Sequence, residues 1–535
     1  MAKHVPTTLA KRMLQHLWAK VLDLLPNAIS TDNSFFCLGS DSIATMKLAS
    51  IARENGLALT MADVFQQLKL SCLSLVVPST SKAESDLPAP FSLLEPGAMR
   101  DAIIQLAVDQ CRVRRDQVVD IYPCTALQEG LMALTAKTAG AYVAHFTYRL
   151  PAHVDLDRFR AAWDAVARAN PILHTRIVQH DELGSFQVVV LDELPWTVYD
   201  NEELCSREPA ASFSMGNSLV RLAVITNRAW KSSPQFILTM HHAVYDAWTL
   251  PLLLKQAAAA LAGEVLIPRP FSPFIGYVLK STAASEAFWR SQFTGLDAPC
   301  FPPLPTPAYT PNPTESTTRR ICLPQGLTDD FTVSTKLRLA WALTLSQYTS
   351  TQDVVFGLTV TGRAVPVVGI EQITGPTIAT LPLRVRVGGD ETVVQALQRV
   401  QDQSAAILPY EQTGLQNIRR LSDEAAAACQ FQSLLVIAPA RLFTEAAVNS
   451  SRGAFTTYAL TLLCDLFSDS VTVQTTFDPR VIGATEAERM LHQLAHVAKQ
   501  ICSQPEARIK DVGGASPEDY RQLQEWNGTV PARVN

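Results

Sequence analysis

The chain has 535 residues, of which 47% are hydrophobic, and a formal net charge of −5. This length accommodates about three or four folding units, and the apolar content excludes a largely disordered chain. The slightly acidic charge balance gives no electrostatic basis for binding nucleic acid or an anionic membrane, and no apolar run reaches the ~18 residues of a membrane-spanning helix.

The cysteines and the N-terminus indicate the compartment. The first thirty residues contain no apolar core with a small-residue cleavage pattern, so no secretory signal is predicted. Ten cysteines are scattered without a C-x-x-C pair, which is typical of ordinary buried thiols and not of a disulfide framework or a zinc site. We therefore expect a reduced, cytoplasmic protein, and a monomer.

The first region of the chain has a helical pattern. Apolar residues recur at spacings of three and four from Leu9 through Leu17 to Leu24, which predicts an amphipathic helix. A second helix is predicted to start near Ser42, and a third, short one covers residues 61–68. Residues 1–77 are therefore expected to form a small all-α bundle whose core is large enough to hold one site.

Two proline-rich segments divide the rest. Residues 78–98 mix Ser, Pro and charge without helical or strand periodicity, which indicates a linker. Residues 299–313 contain seven prolines and cannot form a helix or a central strand. We interpret this second segment as the bridge between two halves of one larger unit, 99–298 and 299–515.

Strands and helices alternate in this larger unit. Its mixed α/β pattern extends over about 400 residues, more than one core usually supports, so two subdomains are expected. The predicted helices are 156–170 and 335–348, and the predicted strands are 186–190, 235–240, 353–359 and 471–477.

A serine stands at the start of the second helix. The segment N-S-F-F-C-L-G-S-D-S-I, residues 33–43, resembles the attachment motif of peptidyl carrier domains, with Ser40 where a second Gly or a His is usual. A helix N-terminus favours the phosphodiester that such a serine carries. The alternative is that Asp41 and Ser42 form an ordinary N-cap. The resemblance implies a four-helix carrier with 4′-phosphopantetheine on Ser42, attached by a phosphopantetheinyl transferase.

A double histidine follows a predicted strand. Residues 240–248, M-H-H-A-V-Y-D-A-W, resemble the H-H-x-x-x-D-G motif of condensation domains, whose fold is shared with chloramphenicol acetyltransferase. An imidazole with a pKa near 6.5 can accept a proton from an attacking amine or hold that amine. The resemblance implies that His242 and His241 are the catalytic residues, with His242 acting on the amine, and that Asp246 is a structural support. No further ligand cluster supports a metal site.

Two departures from the family pattern are present. Ala247 replaces the usual Gly, and it would reshape the loop if the position required a positive φ. His174 stands where the family has an Arg that pairs with the motif aspartate, and Arg176 is a candidate substitute. Both departures leave open a non-catalytic scaffold that only binds loaded carriers.

Other segments resemble further family blocks, so the likeness covers nearly the whole chain in a fungal form. The segment W-N-G-T-V-P, residues 526–531, is similar to the start of an adenylation domain. The matching blocks are residues 122–132, 170–176, 288–290, 375–382 with Arg384, and 410–418.

The sequence thus resembles a fragment of a nonribosomal peptide synthetase. The expected fold is a small all-α four-helix carrier bundle (1–77) and, after the linker 78–98, a large α/β condensation domain. Two chloramphenicol-acetyltransferase-like subdomains (99–298 and 299–515), arranged in a V, would form that domain. Residues 516–535 would lead toward an adenylation domain.

The activity that this resemblance implies is acyl transfer with peptide-bond formation. The acyl or peptidyl group would pass from pantetheine on the upstream carrier to an amine on a downstream acceptor carrier. The other partners implied are the phosphopantetheinyl transferase and neighbouring adenylation domains, with no nucleic acid and no membrane. A terminal cyclising condensation domain remains an alternative.

Overall fold

The computed structural model describes residues 6–78, 87–200, 213–226, 233–280, 283–324, 330–439, 449–452, 457–467 and 469–528. The side chains of Ser42 and of residues 449–452 lie outside this description, as do residues 529–531 of the predicted adenylation-type segment and 79–86 of the predicted linker.

The described part of residues 6–78 is helical, which confirms the all-α prediction. Thr8, Asp41 and Thr60 cap the first three helices with side-chain oxygens, because helix N-termini leave backbone N–H groups without intrahelical acceptors. The third helix ends two residues before the predicted position 68. The helices are α1 (Leu9–Leu22), α2 (Ser42–Glu54), α3 (Met61–Gln66) and α4 (Leu70–Val76).

Aromatic rings fill the centre of this bundle. The ring of Trp18 lies 4.8 Å from that of Phe35, and the ring of Phe36 stacks on that of Phe65 at 5.5 Å. Phe35 and Phe36, which precede the attachment loop in sequence, are both buried. They therefore anchor the loop that leads to Ser42 to the core.

The first half of the larger unit contains two sheets and six helices among its described residues. The helices are α5 (Ala98–Cys111), α6 (Ala126–Lys137), α7 (Leu156–Ala169), α8 (Thr249–Leu261), α9 (Ser272–Val278) and α10 (Ala283–Phe293). The strands are β1 (Val118–Pro123), β2 (Val143–Arg149), β3 (Thr175–His180), β4 (Gly184–Val190), β5 (Trp196–Tyr199), β6 (Val220–Ile225) and β7 (Gln235–His241).

The second half repeats the mixture of helices and strands. Its helices are α11 (Val333–Thr349), α12 (Val393–Ile407), α13 (Leu415–Arg419), α14 (Asp423–Ala428), α15 (Ala484–Ser503) and α16 (Pro517–Gly528). Its strands are β8 (Glu315–Cys322), β9 (Asp353–Val360), β10 (Ala379–Arg386), β11 (Ser433–Pro439), β12 (Asn449–Arg452), β13 (Leu460–Leu466) and β14 (Ser470–Phe477). Short 3-10 turns lie at Pro26–Ala28, Phe36–Leu38, Arg115–Gln117, Pro171–His174, Ile370–Gln372, Leu408–Tyr410 and Ile509–Asp511.

The described strands form three sheets, in the orders β1-β4-β3, β12-β2-β7-β6-β5 and β10-β9-β11-β13-β14-β8. The six-stranded sheet packs against α11 and α15 in one hydrophobic core, and the five-stranded sheet packs against α7 and α8 in another. Strand β12 crosses over from the second half and pairs antiparallel with β2, which lies in the first. Two cores agree with the mixed α/β prediction, and the proposed boundaries at 298/299 and 515/516 stay predictions.

The predicted elements match the structure to within a few residues. The helix predicted for 156–170 is Leu156–Ala169, and the strand predicted for 353–359 is Asp353–Val360. The region 516–535 contains helix α16, on which Trp526 lies 5.4 Å from the guanidinium of Arg489.

The cysteine prediction was partly wrong. All nine described cysteines are free thiols, but four of them are exposed: Cys37, Cys72, Cys300 and Cys322. Isolated small side chains at the surface need no buried environment, so scattered spacing alone does not predict burial. In the described ranges, no helix combines the length and apolarity needed to span a bilayer.

Candidate active site

His242 lies at the edge of an internal cavity. Strand β7 ends at His241, and the backbone N–H of His242 donates to the carbonyl of Tyr142 on the neighbouring chain segment, 2.8 Å away. The imidazole stacks on the ring of Tyr245 at 4.9 Å. It is half-buried and lines a cavity of about 950 Å³. The ring is thus both fixed in position and accessible from the cavity.

His241 has the opposite environment. It is fully buried, its Nδ1 accepts from the N–H of Ala243 (3.0 Å), and its Nε2 lies 2.7 Å from Oγ1 of Thr135. Since Nδ1 accepts, Nε2 carries the hydrogen and donates it to the threonine. Burial, with His242 nearby, lowers the pKa of His241 to about 3. His241 is therefore a neutral side chain that holds the loop.

Asp246 is a fully buried carboxylate at the centre of a hydrogen-bond network. One oxygen accepts from the N–H and hydroxyl of Thr249 (2.8 and 2.7 Å) and the N–H of Trp248 (3.1 Å). The other accepts from the N–H of Thr377 (3.1 Å) and from Nη2 of Arg363 (3.3 Å). This network connects the histidine loop to the second half of the larger unit.

Arg363 is the partner of the motif aspartate, and the sequence analysis missed it. Its Nη1 donates to the carbonyls of Ile370 (2.7 Å) and Ile373 (2.8 Å), and its side chain is fully buried. Burial lowers the pKa of this guanidinium, and Asp246 opposes the shift. An arginine that precedes an apolar segment, as Arg363 does, is a candidate for a buried ion pair, but its partner can be identified only from the tertiary structure.

The suggestion that Arg176 pairs with Asp246 was wrong. Arg176 is bonded to Asp192, and its Nη1 donates to the carbonyl of Cys111 at 2.7 Å. His174 lies on the same carboxylate, with Nδ1 3.6 Å from Oδ1 of Asp192. Arg176 lies on β3 and His174 on the turn before it, and the carboxylate beside both is Asp192. The position beside Asp246 is occupied by Arg363.

The Ala247 departure does not strain the backbone. Ala247 does not adopt a positive φ, so the position does not need a glycine. The conformational demand lies at Gly362, with φ of +67°, where an added Cβ would come within 1.7 Å of the carbonyl of Thr377. This close approach brings the adjacent Arg363 to Asp246.

The block at residues 122–132 supports the same loop. Thr125 caps helix α6 and forms a capping box with Gln128. The buried Nε2 of Gln128 donates to the carbonyl of Ala243 (2.9 Å) and to Oε1 of Gln187 (2.8 Å). The opening block therefore fixes the backbone that follows His242.

Ser42 is the first residue of helix α2, and its side chain lies outside the described part of the chain. The carboxylate of Asp41 accepts from the N–H of Ala44 at 2.8 Å, so Asp41 is the N-cap and Ser42 the first helical residue. Ser40, where the family has Gly or His, donates to the carbonyl of Phe35 at 2.8 Å. The loop thus tolerates a serine there.

A second cavity, of about 1300 Å³, begins at this loop. Its walls include the residues on either side of Ser42, namely Gly39, Ser40, Asp41 and Ile43. The two cavities share wall residues, namely Trp248, Thr359, Val360, Thr361 and Ile437. The cavity at Ser42 and the cavity at His242 therefore lie on either side of a shared wall.

The helical bundle packs directly on the larger unit. Ser50 donates to the carboxylate of Glu371 at 2.6 Å, and Gln401 donates to the carbonyl of Phe65 at 3.4 Å. Ala405 of helix α12 belongs to the core of the bundle, and Trp248 packs against that core. The indole N–H of Trp248 donates to the carbonyl of Glu371 at 2.9 Å. Trp248 thus contacts the bundle and both cavities.

Comparison with known proteins decides the family. Residues 12–73 match the phosphopantetheine attachment site family, and residues 118–524 match the condensation domain family. The chain belongs to the condensation domain family. The phosphopantetheine attachment domain that precedes it is the site of covalent 4′-phosphopantetheine attachment.

Curated relatives are fungal nonribosomal peptide synthetases. The chain is 40% identical over 541 residues to nonribosomal peptide synthetase fmqA of Aspergillus fumigatus, covering 98% of this chain and 14% of fmqA. It is 39% identical over 546 residues to nonribosomal peptide synthetase otaB of Aspergillus carbonarius, covering 99% and 28%. The chain therefore spans between about a seventh and about a quarter of these relatives.

Solved structures share the fold of the condensation domain. The structure titled holo T3CT matches with a TM-score of 0.61 at 20% identity, over 79% of this chain and 100% of that one. The condensation domain from the Monacolin K polyketide synthase MokA matches with a TM-score of 0.57 at 16% identity, over 74% and 100%. The predicted carrier and condensation fold class is confirmed. In the described ranges, His, Cys, Asp and Glu form no cluster of three or more that could hold a metal ion.

Proposed function

We propose that this chain forms a peptide bond, transferring an acyl or peptidyl group from pantetheine on Ser42 to the amine of an acceptor on a downstream carrier. The observation that carries the proposal is the pair of adjoining cavities, one bordered by the attachment loop and the other by His242. A tethered donor reaches a site of this kind without diffusing away, which raises its effective concentration.

The residues at Ser42 suit a pantetheine arm. Ser42 begins a helix of thirteen residues, where free backbone N–H groups favour an attached phosphodiester. The cavity beside it extends to Trp248, which also lines the cavity at His242. When bound, the arm supplies a thioester, so that a C–N bond forms while a C–S bond breaks and the sulfur leaves as a thiol.

In this proposal His242 acts on the acceptor amine. Its imidazole holds the amine by a hydrogen bond and accepts the proton that the nitrogen loses as it attacks. Stacking on Tyr245 fixes the ring plane, and the ring lines the cavity in which the thioester would react. His241 and Asp246 are positioning residues, because both are fully buried and hydrogen-bonded into the loop.

The site geometry favours an enzyme over a carrier-binding scaffold. The two departures that kept the scaffold open leave the site intact, because Arg363 pairs with Asp246 and Ala247 needs no positive φ. The alternative of terminal cyclisation predicts a cyclic product released without an acceptor carrier.

The partners, the location and the domain boundaries of the chain are proposals as well. We propose a phosphopantetheinyl transferase, a downstream acceptor carrier and neighbouring adenylation domains as partners of a monomeric, cytoplasmic chain. The carrier would occupy 1–77, the linker 78–98, the two subdomains 99–298 and 299–515, and the connection to an adenylation domain 516–535.

The test loads the chain with a donor and adds an acceptor-loaded carrier. We expect His242→Ala to leave loading intact and to reduce product formation by about 10²–10⁴-fold, whereas His153→Ala, an exposed histidine, serves as the control. Ser42→Ala should prevent loading, and Ser71→Ala in the same bundle should not. Product from His242→Ala at the wild-type rate would refute the proposed role, and a cyclic product without acceptor would establish the alternative.

A further inference from the structure

A buried polar pair lines the cavity between the attachment loop and the condensation domain. Glu411, directly after the 3-10 turn Leu408–Tyr410, is 3% exposed, and Arg338 of helix α11 is half-buried nearby. Both side chains border the cavity of about 1300 Å³ that begins at Ser42, and neither borders the cavity at His242. The pair therefore lies on the carrier side of the junction at Trp248.

The pair has unused hydrogen-bonding capacity. Nη1 of Arg338 donates to Ser404 at 2.5 Å, but Nε of Arg338 and Oε1 of Glu411 have no hydrogen-bond partner among the described residues. Burial raises the pKa of Glu411 to about 8, with the nearby arginine opposing the shift. Unsatisfied buried polar atoms are costly, so their persistence beside a cavity calls for a ligand that completes them.

We infer that Arg338 and Glu411 bind the carrier-proximal amide of the pantetheine arm and thereby position it; this inference rests on the proposed function. A secondary amide presents one N–H donor and one carbonyl acceptor. The guanidinium donates to its carbonyl, and the carboxyl group of Glu411 accepts from its N–H. Because both residues line the cavity next to Ser42, we expect them to bind the amide nearer the phosphate and not the amide nearer the thiol.

The first measurement follows the arm itself and not the reaction. A phosphopantetheinyl transferase attaches an arm whose thiol already carries a nitroxide, so the native cysteines stay unlabelled, and electron paramagnetic resonance reports the immobilised fraction. We expect Arg338→Met and Glu411→Met to decrease the ratio of immobilised to mobile label by about fivefold to tenfold, as the loss of one hydrogen bond would. Glu411→Gln, which retains an acceptor oxygen, should keep most of the immobilisation.

Two comparisons make the test decisive. Arg399→Met and Glu391→Gln break an ion pair between helix α12 and the residue before its N-cap. Neither residue borders a cavity, so both variants should leave the label immobilised. Glu411→Met removes an unsatisfied buried oxygen, so it should fold at least as stably as wild type, which far-ultraviolet circular dichroism verifies. Equal immobilisation in wild type, Glu411→Met and Arg338→Met would overturn the inference.

A second measurement separates this inference from the proposed function. Transfer from the tethered donor is compared with transfer from a soluble N-acetylcysteamine thioester, which lacks the carrier-proximal amide. The variants should lose transfer only from the tethered donor. If wild type made no product from either donor, the proposed function would fail. The nitroxide measurement would then still test whether Arg338 and Glu411 bind the arm. If the variants lost both donors equally, the positioning role would fail.

Discussion

The Asp246–Arg363 ion pair and the neighbouring residues Glu411 and Arg338 have different environments. Asp246 and Arg363 are completely enclosed, and besides the guanidinium the carboxylate accepts from five donor groups, which belong to Trp248, Thr249 and Thr377. Glu411 and Arg338 border a cavity and keep polar atoms without partners. Both arginines leave Nε without a partner, so the difference lies in the carboxyl groups. A carboxylate with both oxygens hydrogen-bonded fixes structure, whereas a carboxyl beside a cavity with an unpartnered oxygen is suited to a ligand.

The largest effect should come from breaking the enclosed pair. Asp246→Asn leaves the guanidinium of Arg363 buried without its counter-charge, and we expect a loss of about 3–5 kcal/mol in the free energy of unfolding. Urea denaturation measures it. Asp390→Asn removes an exposed partner of Lys510 and Arg508 and should change stability by about 0.5 kcal/mol or less. Similar values for the two variants would contradict the distinction.

The contribution of Glu411 to the free energy of unfolding should depend on pH. The folded pKa of Glu411, about 8, lies above its ordinary value of 4.5, so the folded chain binds the extra proton between these values. Its contribution to stability is complete below about pH 4.5 and lost as pH rises through about 8, by at most about 1.4 kcal/mol per pH unit. Glu411→Met should remove this slope from urea denaturation between pH 6 and 8.5. An unchanged slope would show that Glu411 is ionised throughout.

The buried His241 should also contribute to stability in a way that depends on pH. His241→Ala leaves the buried N–H of Ala243 without its acceptor and removes the donor to the hydroxyl of Thr135, which still donates to a backbone carbonyl, and we expect a loss of about 1–3 kcal/mol. Because the pKa of His241 is lowered to about 3, its contribution should fade as pH drops below about 6.5. Thermal unfolding at pH 5 and pH 7 measures both effects. A loss equal to that of exposed His153→Ala would contradict the structural role.

The smallest effect is expected at Ala247. Since its φ is not positive, Ala247→Gly gains no conformational relief and should cost about 1 kcal/mol or less through backbone entropy. The rate of product formation should not rise. A gain of tenfold in that rate would mean that the usual glycine serves catalysis at this position.

Sequence and structure agree wherever local chemistry decides. Periodicity located α7 and β9 to within a residue or two, and the motifs brought Ser42 and His242 to notice before any coordinates. Arg363 escaped because it lies 117 residues from Asp246 and only the tertiary fold joins them. The expectation that Arg176 pairs with Asp246 failed for the same reason. Its position two residues after His174 does not reveal that both side chains lie beside Asp192. Cavities and the unsatisfied atoms of Glu411 depend on packing, which no pattern of residue types encodes.

The account depends on the arm at Ser42 reaching the cavity of His242. Ala247→Cys places a thiol in the wall of that cavity, whereas native Cys37 borders the cavity at the carrier. After mild oxidation of the pantetheine-bearing chain, peptide mass mapping shows which thiol is bonded to the arm. The account predicts a disulfide between the arm and the thiol introduced at position 247. A disulfide with Cys37 alone, with none at 247, would contradict the connected path.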